Sequence, residues 1–260
     1  GWEIAAAARV PEPPDPTVAT DFGGVSLRVV GPDYIVANEH YEIVIGRQGG
    51  VIRWLRAGGK TLARDWDLYG DQEYFRHEHT TRMCASNEVE SSVRIQPGRG
   101  TLRLAFEGQI RGSNRFARKR PGLWFRTEYR LDATPKFHQA WAFRTEKAIR
   151  DKRAFLAMWV EIPEAERVRF TRGNAPAFEG ALAPSRERAG QTRGGPAPDT
   201  ITFGGSGGDA LRLSHFSAPD APCNVFMQGR RLFASLIDGH PSPMDEGRWY
   251  EFAADWEIVP

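Results

Sequence analysis

The stretch from Tyr41 to Leu55 constrains the fold more than any other part of the chain. Tyr41, Ile43 and Ile45 recur with period two, Gly49-Gly50 interrupts them, and Val51 to Arg56 resumes an apolar-rich run. Side chains alternate across a strand, so this pattern predicts two antiparallel strands joined by a turn built on the glycine pair. A second turn, Gly58-Gly59-Lys60, follows at once.

The same punctuation continues along the chain. Strands are predicted at 25–30, 33–45, 51–56, 89–96, 101–111, 122–132, 137–149, 154–162, 166–171, 200–203, 210–216, 223–228, 231–237 and 248–258, with little helical periodicity between them. Glycine turns and proline-containing loops rather than crossover helices separate these runs, which predicts an all-β fold, a large antiparallel β-sandwich. With 260 residues, such a sandwich can be a single domain. Residues 25–260 are assigned to it. Residues 1–24 are expected to form a strap or linker, because Pro11-Glu12-Pro13-Pro14-Asp15-Pro16 is stiff and cannot donate to a sheet. The Gly-Trp start without a methionine suggests a chain that is processed or cut from a longer one. Residues 183–208, rich in Gly, Pro, Ser and Arg, read as a loop or excursion between strands.

Composition excludes some functions. A formal net charge of +2 is too balanced for an electrostatic nucleic-acid footprint. No apolar run approaches the ~20 residues of a membrane-spanning helix. Cys84 and Cys223, far apart, neither require nor exclude a disulfide. There is no nucleophile elbow, no phosphate-binding glycine loop and no paired-cysteine motif, so neither a cofactor nor a metal is expected. Eight tryptophans in an aromatic fraction of 11% exceed what a plain scaffold needs and suit a sugar-binding surface.

The densest polar and aromatic segment is Arg64 to Arg82, read as a long ordered connection. Sugar recognition needs ring faces for the C–H surface of a pyranose and planar polar groups for its hydroxyls. Trp66, Tyr69, Asp71, Glu73, Tyr74, Arg76 and Arg82 supply both kinds. His77 and His79 could project from one side of an extended strand and serve as acid or base. Two histidines alone do not make a metal site. Strand 122–132 places Trp124, Arg126, Glu128 and Arg130 on one face, and 137–145 places His138 and Arg144 on one of its own. If the two pair, Arg126, Glu128, His138 and Arg144 share a surface, either a ligand site or a solvated face with cross-strand ion pairs. The arginine-rich loop from Arg111 to Arg120 suits an acidic glycan or a solvated hairpin tip, and Asp238 and Asp245-Glu246 read as turn residues.

Asn38-Glu39-x-Tyr41, followed by Gly49-Gly50-x-Ile52-x-x-Leu55 and Gly59-Lys60, resembles the opening of the galactose-mutarotase-like sandwiches. Such openings occur in the C-terminal domains of α-mannosidase-like glycoside hydrolases and in related carbohydrate enzymes and polysaccharide lyases. The resemblance implies a large β-sandwich, with Asn38, Gly49 and Gly50 shaping the fold. The Asn-Arg pair after the first hairpin, the His-Gly-Gly motif and the later His-containing segment before a Tyr-Phe-Asn pattern, expected of true aldose epimerases, are not matched residue by residue; Tyr74-Phe75-Arg76-His77 is a loose echo.

The expected function is therefore a carbohydrate-binding or accessory domain of a glycoside-processing system, with a mono- or polysaccharide as ligand, an upstream catalytic domain as partner, and a periplasmic or extracellular location. The rival is a stand-alone sugar epimerase or polysaccharide lyase. Its acid and base would come from His77, His79, His138, Glu128 or Tyr74, with Trp66, Tyr69, Asp71, Glu73, Arg76, Arg82, Trp124, Arg126 and Arg144 binding substrate. A third expectation is a sandwich used for protein contact.

Overall fold

The computed structural model describes residues 19–70, 83–84, 91–109, 111–112, 123–148, 154–173, 175–182, 188–195, 198–205, 208–217, 223–239 and 244–259. Every regular element among them is a strand: β1 (Thr20–Asp21), β2 (Ser26–Val30), β3 (Asp33–Ala37), β4 (Glu42–Gly46), β5 (Val51–Ala57), β6 (Lys60–Gly70), β7 (Met83–Cys84), β8 (Ser92–Gly98), β9 (Thr101–Gln109), β10 (Arg111–Gly112), β11 (Leu123–Asp132), β12 (Lys136–Thr145), β13 (Ala154–Glu161), β14 (Arg167–Arg172), β15 (Ala175–Ala181), β16 (Arg188–Gly195), β17 (Thr200–Gly205), β18 (Gly208–Ser217), β19 (Cys223–Gln228), β20 (Arg231–Gly239) and β21 (Trp249–Ile258). Twelve strands form the first sheet, ordered β1-β2-β3-β4-β5-β6-β13-β20-β19-β16, with β7 beside β6 and β10 beside β7. Nine form the second, ordered β15-β14-β17-β18-β21-β12-β11-β9-β8. The central pairings are antiparallel, and the two sheets close on one core.

Alternation explains that core. Leu102, Leu104 and Phe106 of β9, Leu123, Phe125 and Tyr129 of β11, and Phe252, Ala254 and Trp256 of β21 are all buried, while their neighbours face outward. Opposite them, Tyr41, Ile43 and Ile45 are buried together as the sequence predicts, with Ile52 and Leu55. Each large apolar side chain so enclosed stabilises the fold by about 1.5–3 kcal/mol.

Polar contacts fix how the sheets stack. Asn38 accepts the N–H groups of His40 and Tyr41 on Oδ1 (2.8 and 2.9 Å). Its Nδ2 donates across the sandwich to the carbonyls of Asp132 and Thr134 in the β11–β12 hairpin (2.7 and 2.9 Å). This side-chain turn breaks the predicted strand 33–45 into β3 and β4, since Asn offers the backbone an alternative to the ladder. A buried chain links the sheets elsewhere. The Tyr129 hydroxyl donates to the Gly50 carbonyl (2.5 Å) and accepts from Gln139 Nε2 (3.0 Å), and Gln139 Oε1 accepts from Trp256 Nε1 (2.9 Å). Burial, with the Gln139 donor opposing it and the Asp67 charge adding to it, pushes the Tyr129 phenol well above its ordinary pKa. The hydroxyl therefore stays protonated and able to donate.

Other boundaries differ from the sequence reading. Arg64 to Gly70 belongs to β6 and is no connection. Its alternation is hidden by a bulge at Asp65, whose φ of 52° accompanies a register slip against β13 between Trp159 and Glu161. Within 183–208, β16 and β17 are strands. The predicted strap at 1–24 lies outside the described residues up to residue 18, and its remainder carries β1, which pairs with β2. Among the described residues no helix is long and apolar enough to cross a membrane, which says nothing about spanning by strands.

Gly50 has φ +61°, and a Cβ there would lie 2.5 Å from ring carbons of Phe106. Gly50→Ala should cost about 1–2 kcal/mol for the left-handed backbone and about 1–3 kcal/mol for overpacking. Tyr129→Phe should cost about 2–5 kcal/mol, because it strands the Gly50 carbonyl and one Gln139 donor in the core. Urea unfolding checks both; midpoints equal to the wild type would contradict the assigned contacts.

Candidate functional site

Four neighbouring strands of the first sheet, β6, β13, β20 and β19, set a row of side chains on its outer face. Asp67 of β6 pairs with Trp159 of β13, Trp159 with Phe233 of β20, and Phe233 with Phe226 of β19. Their neighbours Trp66, Leu68, Met158, Val160, Val225, Met227, Leu232 and Ala234 point into the core, so alternation turns the row outward. Outward here does not mean solvated: Asp67 is only 6% exposed and Phe226 only 4%. Asp67 Oδ1 accepts the Leu68 N–H (2.8 Å). Phe226 and Phe233 stack with centroids 5.1 Å apart, and the Arg231 guanidinium lies 4.4 Å above the Trp159 ring. The next row towards one side is Arg64, Glu161, Arg231 and Gln228, in which Arg64 Nη2 bonds Glu161 (2.7 Å). The next row towards the other side holds the register positions Tyr69, Ala157, Ser235 and Asn224. A sheltered carboxylate at the end of three aromatic rings combines an apolar surface with a hydrogen-bond acceptor, the two demands of a sugar ring.

Sequence reasoning passed over this row. Asp67 sat inside the segment singled out, but Trp159 lies in a continuous apolar run, Phe155 to Val160, which shows no period to say which face a residue takes. Had the run been read as a strand buried on both faces, Trp159 and Phe233 would have fallen on one side.

The expected residues divide among three places. Trp66 is corrected: it is fully buried, meets Trp141 edge-on at 6.2 Å and donates Nε1 to Met158 Sδ (3.1 Å), so its ring offers no face to a ligand. The Tyr69 backbone pairs with Ala157 and Cys84. Asp71, Glu73, Tyr74, Arg76, His77, His79 and Arg82 lie outside the described residues, as does most of the arginine-rich loop. Gly70, two residues beyond Leu68, pairs with both Met83 and Leu156. Asp238, read as a turn residue, is in β20 and pairs with Phe155 at that same end.

The remaining expected residues share the outer face of the second sheet, because β11 and β12 do pair: Trp124 with Arg144, Arg126 with Ala142, Glu128 with Ala140 and Arg130 with His138. Most of that face is a ladder of cross-strand ion pairs. Glu128 is held by Arg103 (2.5 Å) and Arg130 (2.9 Å), Glu107 by Arg126 (2.8 Å), and Glu257 by Lys136 and Arg212 (3.2 and 3.1 Å). Asp255 lies between His138 (2.6 Å) and His215 (2.9 Å). Burial alone would raise the Glu128 pKa, but the hydrogen bonds and charges of Arg103 and Arg130 outweigh it and hold the carboxyl below its ordinary value. A carboxylate so held stays ionised and is a poor general acid.

A cleft of about 620 Å3 opens at the opposite end of the sandwich, with Leu62, Ile162 and Phe203 in its lining and Lys60, Glu164 and Glu166 among its polar groups. None of the expected site residues lines it. Among the described residues no cluster of three His, Cys, Asp or Glu is placed to hold a metal ion.

With this geometry in hand, known structures supply a comparison. The chain is similar to a galactose 1-epimerase from Lactobacillus acidophilus, with a TM-score of 0.55 and 8% identity over 90% of this chain and 95% of that one. It is also similar to a candidate mutarotase from Salmonella typhimurium, with a TM-score of 0.51 and 11% identity over 90% and 93%. The fold is thus a galactose-mutarotase-like sandwich, in agreement with the resemblance of its opening residues. No protein-family model and no curated protein matches the sequence.

Because the folded Glu128 pKa lies below its unfolded value, its stabilisation is complete above the unfolded value near pH 4 and is lost as pH falls through the folded value. Glu128→Gln should therefore lower stability at pH 7 and flatten the loss below about pH 4. Thermal melts between about pH 2 and 7 check this; parallel curves for variant and wild type would contradict it.

Proposed function

We propose that this chain is a carbohydrate-binding sandwich that takes a sugar on the outer face of its first sheet. The ring's C–H surface lies on Trp159 and Phe233, with the buried Phe226 stacked against Phe233 as support, and Asp67 accepts hydrogen bonds from its hydroxyls. The observation that carries the reading is the row itself: an acid 6% exposed aligned in register with three aromatic side chains on an outer sheet face, where a solvated surface would be expected. The kind of fold supports it, since the solved structures it resembles include one named as a sugar epimerase. In this reading the chain serves a larger glycoside-processing system by holding the saccharide.

A second reading makes the chain an enzyme that exchanges sugar anomers. Two observations favour it: the match extends over 95% of the galactose 1-epimerase, and Asp67 is a sheltered carboxylate of the kind used in proton transfer. Anomer exchange needs a base that removes the proton from the anomeric hydroxyl and an acid that protonates the ring oxygen. The ring opens, the carbonyl carbon turns, and the two protons return in reverse order on closure. Asp67 would serve as one of the pair.

Calorimetric titration with galactose and proton NMR of freshly dissolved α-galactose test both readings. Binding should fall about 10–100-fold in Asp67→Asn, the loss of a charge-assisted hydrogen bond, and should also weaken in Trp159→Ala. Unchanged binding in both variants would overturn the site. Anomer exchange accelerated by the wild type and abolished in Asp67→Asn selects the enzyme; binding without acceleration selects the holding role.

A further inference from the structure

The second sheet carries an unusual arginine on its outer face. Trp124 of β11 pairs with Arg144 of β12, and Arg144 with Trp249 of β21, so one transverse row reads indole, guanidinium, indole. The Arg144 guanidinium carbon lies 5.3 Å from the Trp124 ring and 5.1 Å from the Trp249 ring. Arg126, in the adjoining row, lies 4.5 Å from the same Trp249 ring and is paired with Glu107. Trp124 is fixed by a hydrogen bond from Nε1 to Glu146 (2.7 Å). Arg103, Arg126, Arg130, Lys136 and Arg212 on this face each reach a carboxylate. Arg144 reaches none among the described residues, and its Nε is buried with no hydrogen-bond partner there.

A half-buried guanidinium whose Nε–H has no acceptor costs free energy that an acceptor admitted beside it would recover. The flanking rings restrict its rotamers in advance, so little entropy is lost when it grips a planar oxyanion. Beside the row the sheet is low. Ala142 is next to Arg126 in register, and Ala105, Ala140 and Ala253 lie in the row of Glu128. Ala142 is only 4% exposed and Glu251 continues its row, so the shallow trough is the strip of short side chains Ala105, Ala140 and Ala253, between that row and the row of Arg130, His138 and Asp255.

We propose that this trough is a second saccharide site, on the face opposite the first, which takes a sugar bearing an oxyanion. Arg144 grips the anionic group with Arg126 beside it, and the alanine floor receives the ring. Carboxylate and phosphate present the same acceptor chemistry to a guanidinium fork, so the anionic group itself defines the ligand class. The site does not depend on the Asp67 row, and variants separate the two.

Calorimetric titrations with trigalacturonate, galactose 6-phosphate, neutral galactotriose and inorganic phosphate, at low and at 0.5 M salt, test this. At least one acidic sugar should bind at least tenfold more tightly than galactotriose, and salt should weaken that binding. Preference for trigalacturonate assigns a carboxylate, and preference for galactose 6-phosphate a phosphate. Arg144→Gln should abolish the preference and Arg144→Lys should reduce it several-fold, because charge remains while the fork is lost. Asp67→Asn should leave the affinity for the acidic sugar unchanged. Unfolding midpoints matching the wild type establish that the variants fold. Should Arg144→Gln misfold, Trp249→Phe provides the alternative probe and should weaken acidic binding selectively. No preference for acidic sugars, a preference that survives Arg144→Gln, or an affinity for the acidic sugar lost in Asp67→Asn would overturn the proposal; so would inorganic phosphate binding as tightly as every sugar.

Discussion

The structure depends on how its two sheets are locked against each other. Hydrophobic burial brings the sheets together, but burial is non-directional and would tolerate sliding. The Tyr129 hydroxyl, bonded to the Gly50 carbonyl and to Gln139, joins the β4–β5 turn to the second sheet at one point. Asn38 Nδ2, bonded to the carbonyls of Asp132 and Thr134, joins the β3–β4 turn to the β11–β12 hairpin at another. Two directional contacts at separate places fix both translation and twist. The segment that makes the chain resemble the galactose-mutarotase-like sandwiches is therefore the one that sets the stacking of the layers, and its asparagine and glycine are structural.

Fixed stacking frees both outer faces for other work, and the two differ in chemistry. The first sheet shows a sheltered acid and three rings in register, with Arg231 over Trp159. The second shows carboxylates shared between cations, ending in the Trp124–Arg144–Trp249 row. A neutral ring suits the first and an anionic group the second.

Legibility in the sequence followed the period of each strand. Tyr41, Ile43 and Ile45 alternate cleanly, and their hairpin and buried face were readable. So was the pairing of Arg126, Glu128, His138 and Arg144 on one surface, since β11 and β12 keep regular register over their length. The break at Asn38 was hidden because a side-chain amide won against a β-rich context, Ile35-Val36-Ala37. The strand β6 was hidden by two irregularities, a slip against β5 that leaves Leu62 and Ala63 buried side by side and the bulge at Asp65. The Asp67 row was the least legible feature: it exists only through the register of four strands far apart in sequence, and no local pattern encodes that. Trp66, an obvious ring for a sugar, proved to be core because the bulge reversed the face it occupies.

The central claim is that sugar lies on the row of Asp67, Trp159, Phe233 and Phe226. Aromatic carbon and indole NMR of the labelled chain, titrated with galactose, tests it most directly. The account requires shifts concentrated on the rings of Trp159, Phe233 and Phe226 with Trp256 unmoved. Shifts confined to Phe203 in the cleft at the far end, or no ring shift at saturating sugar, would contradict it.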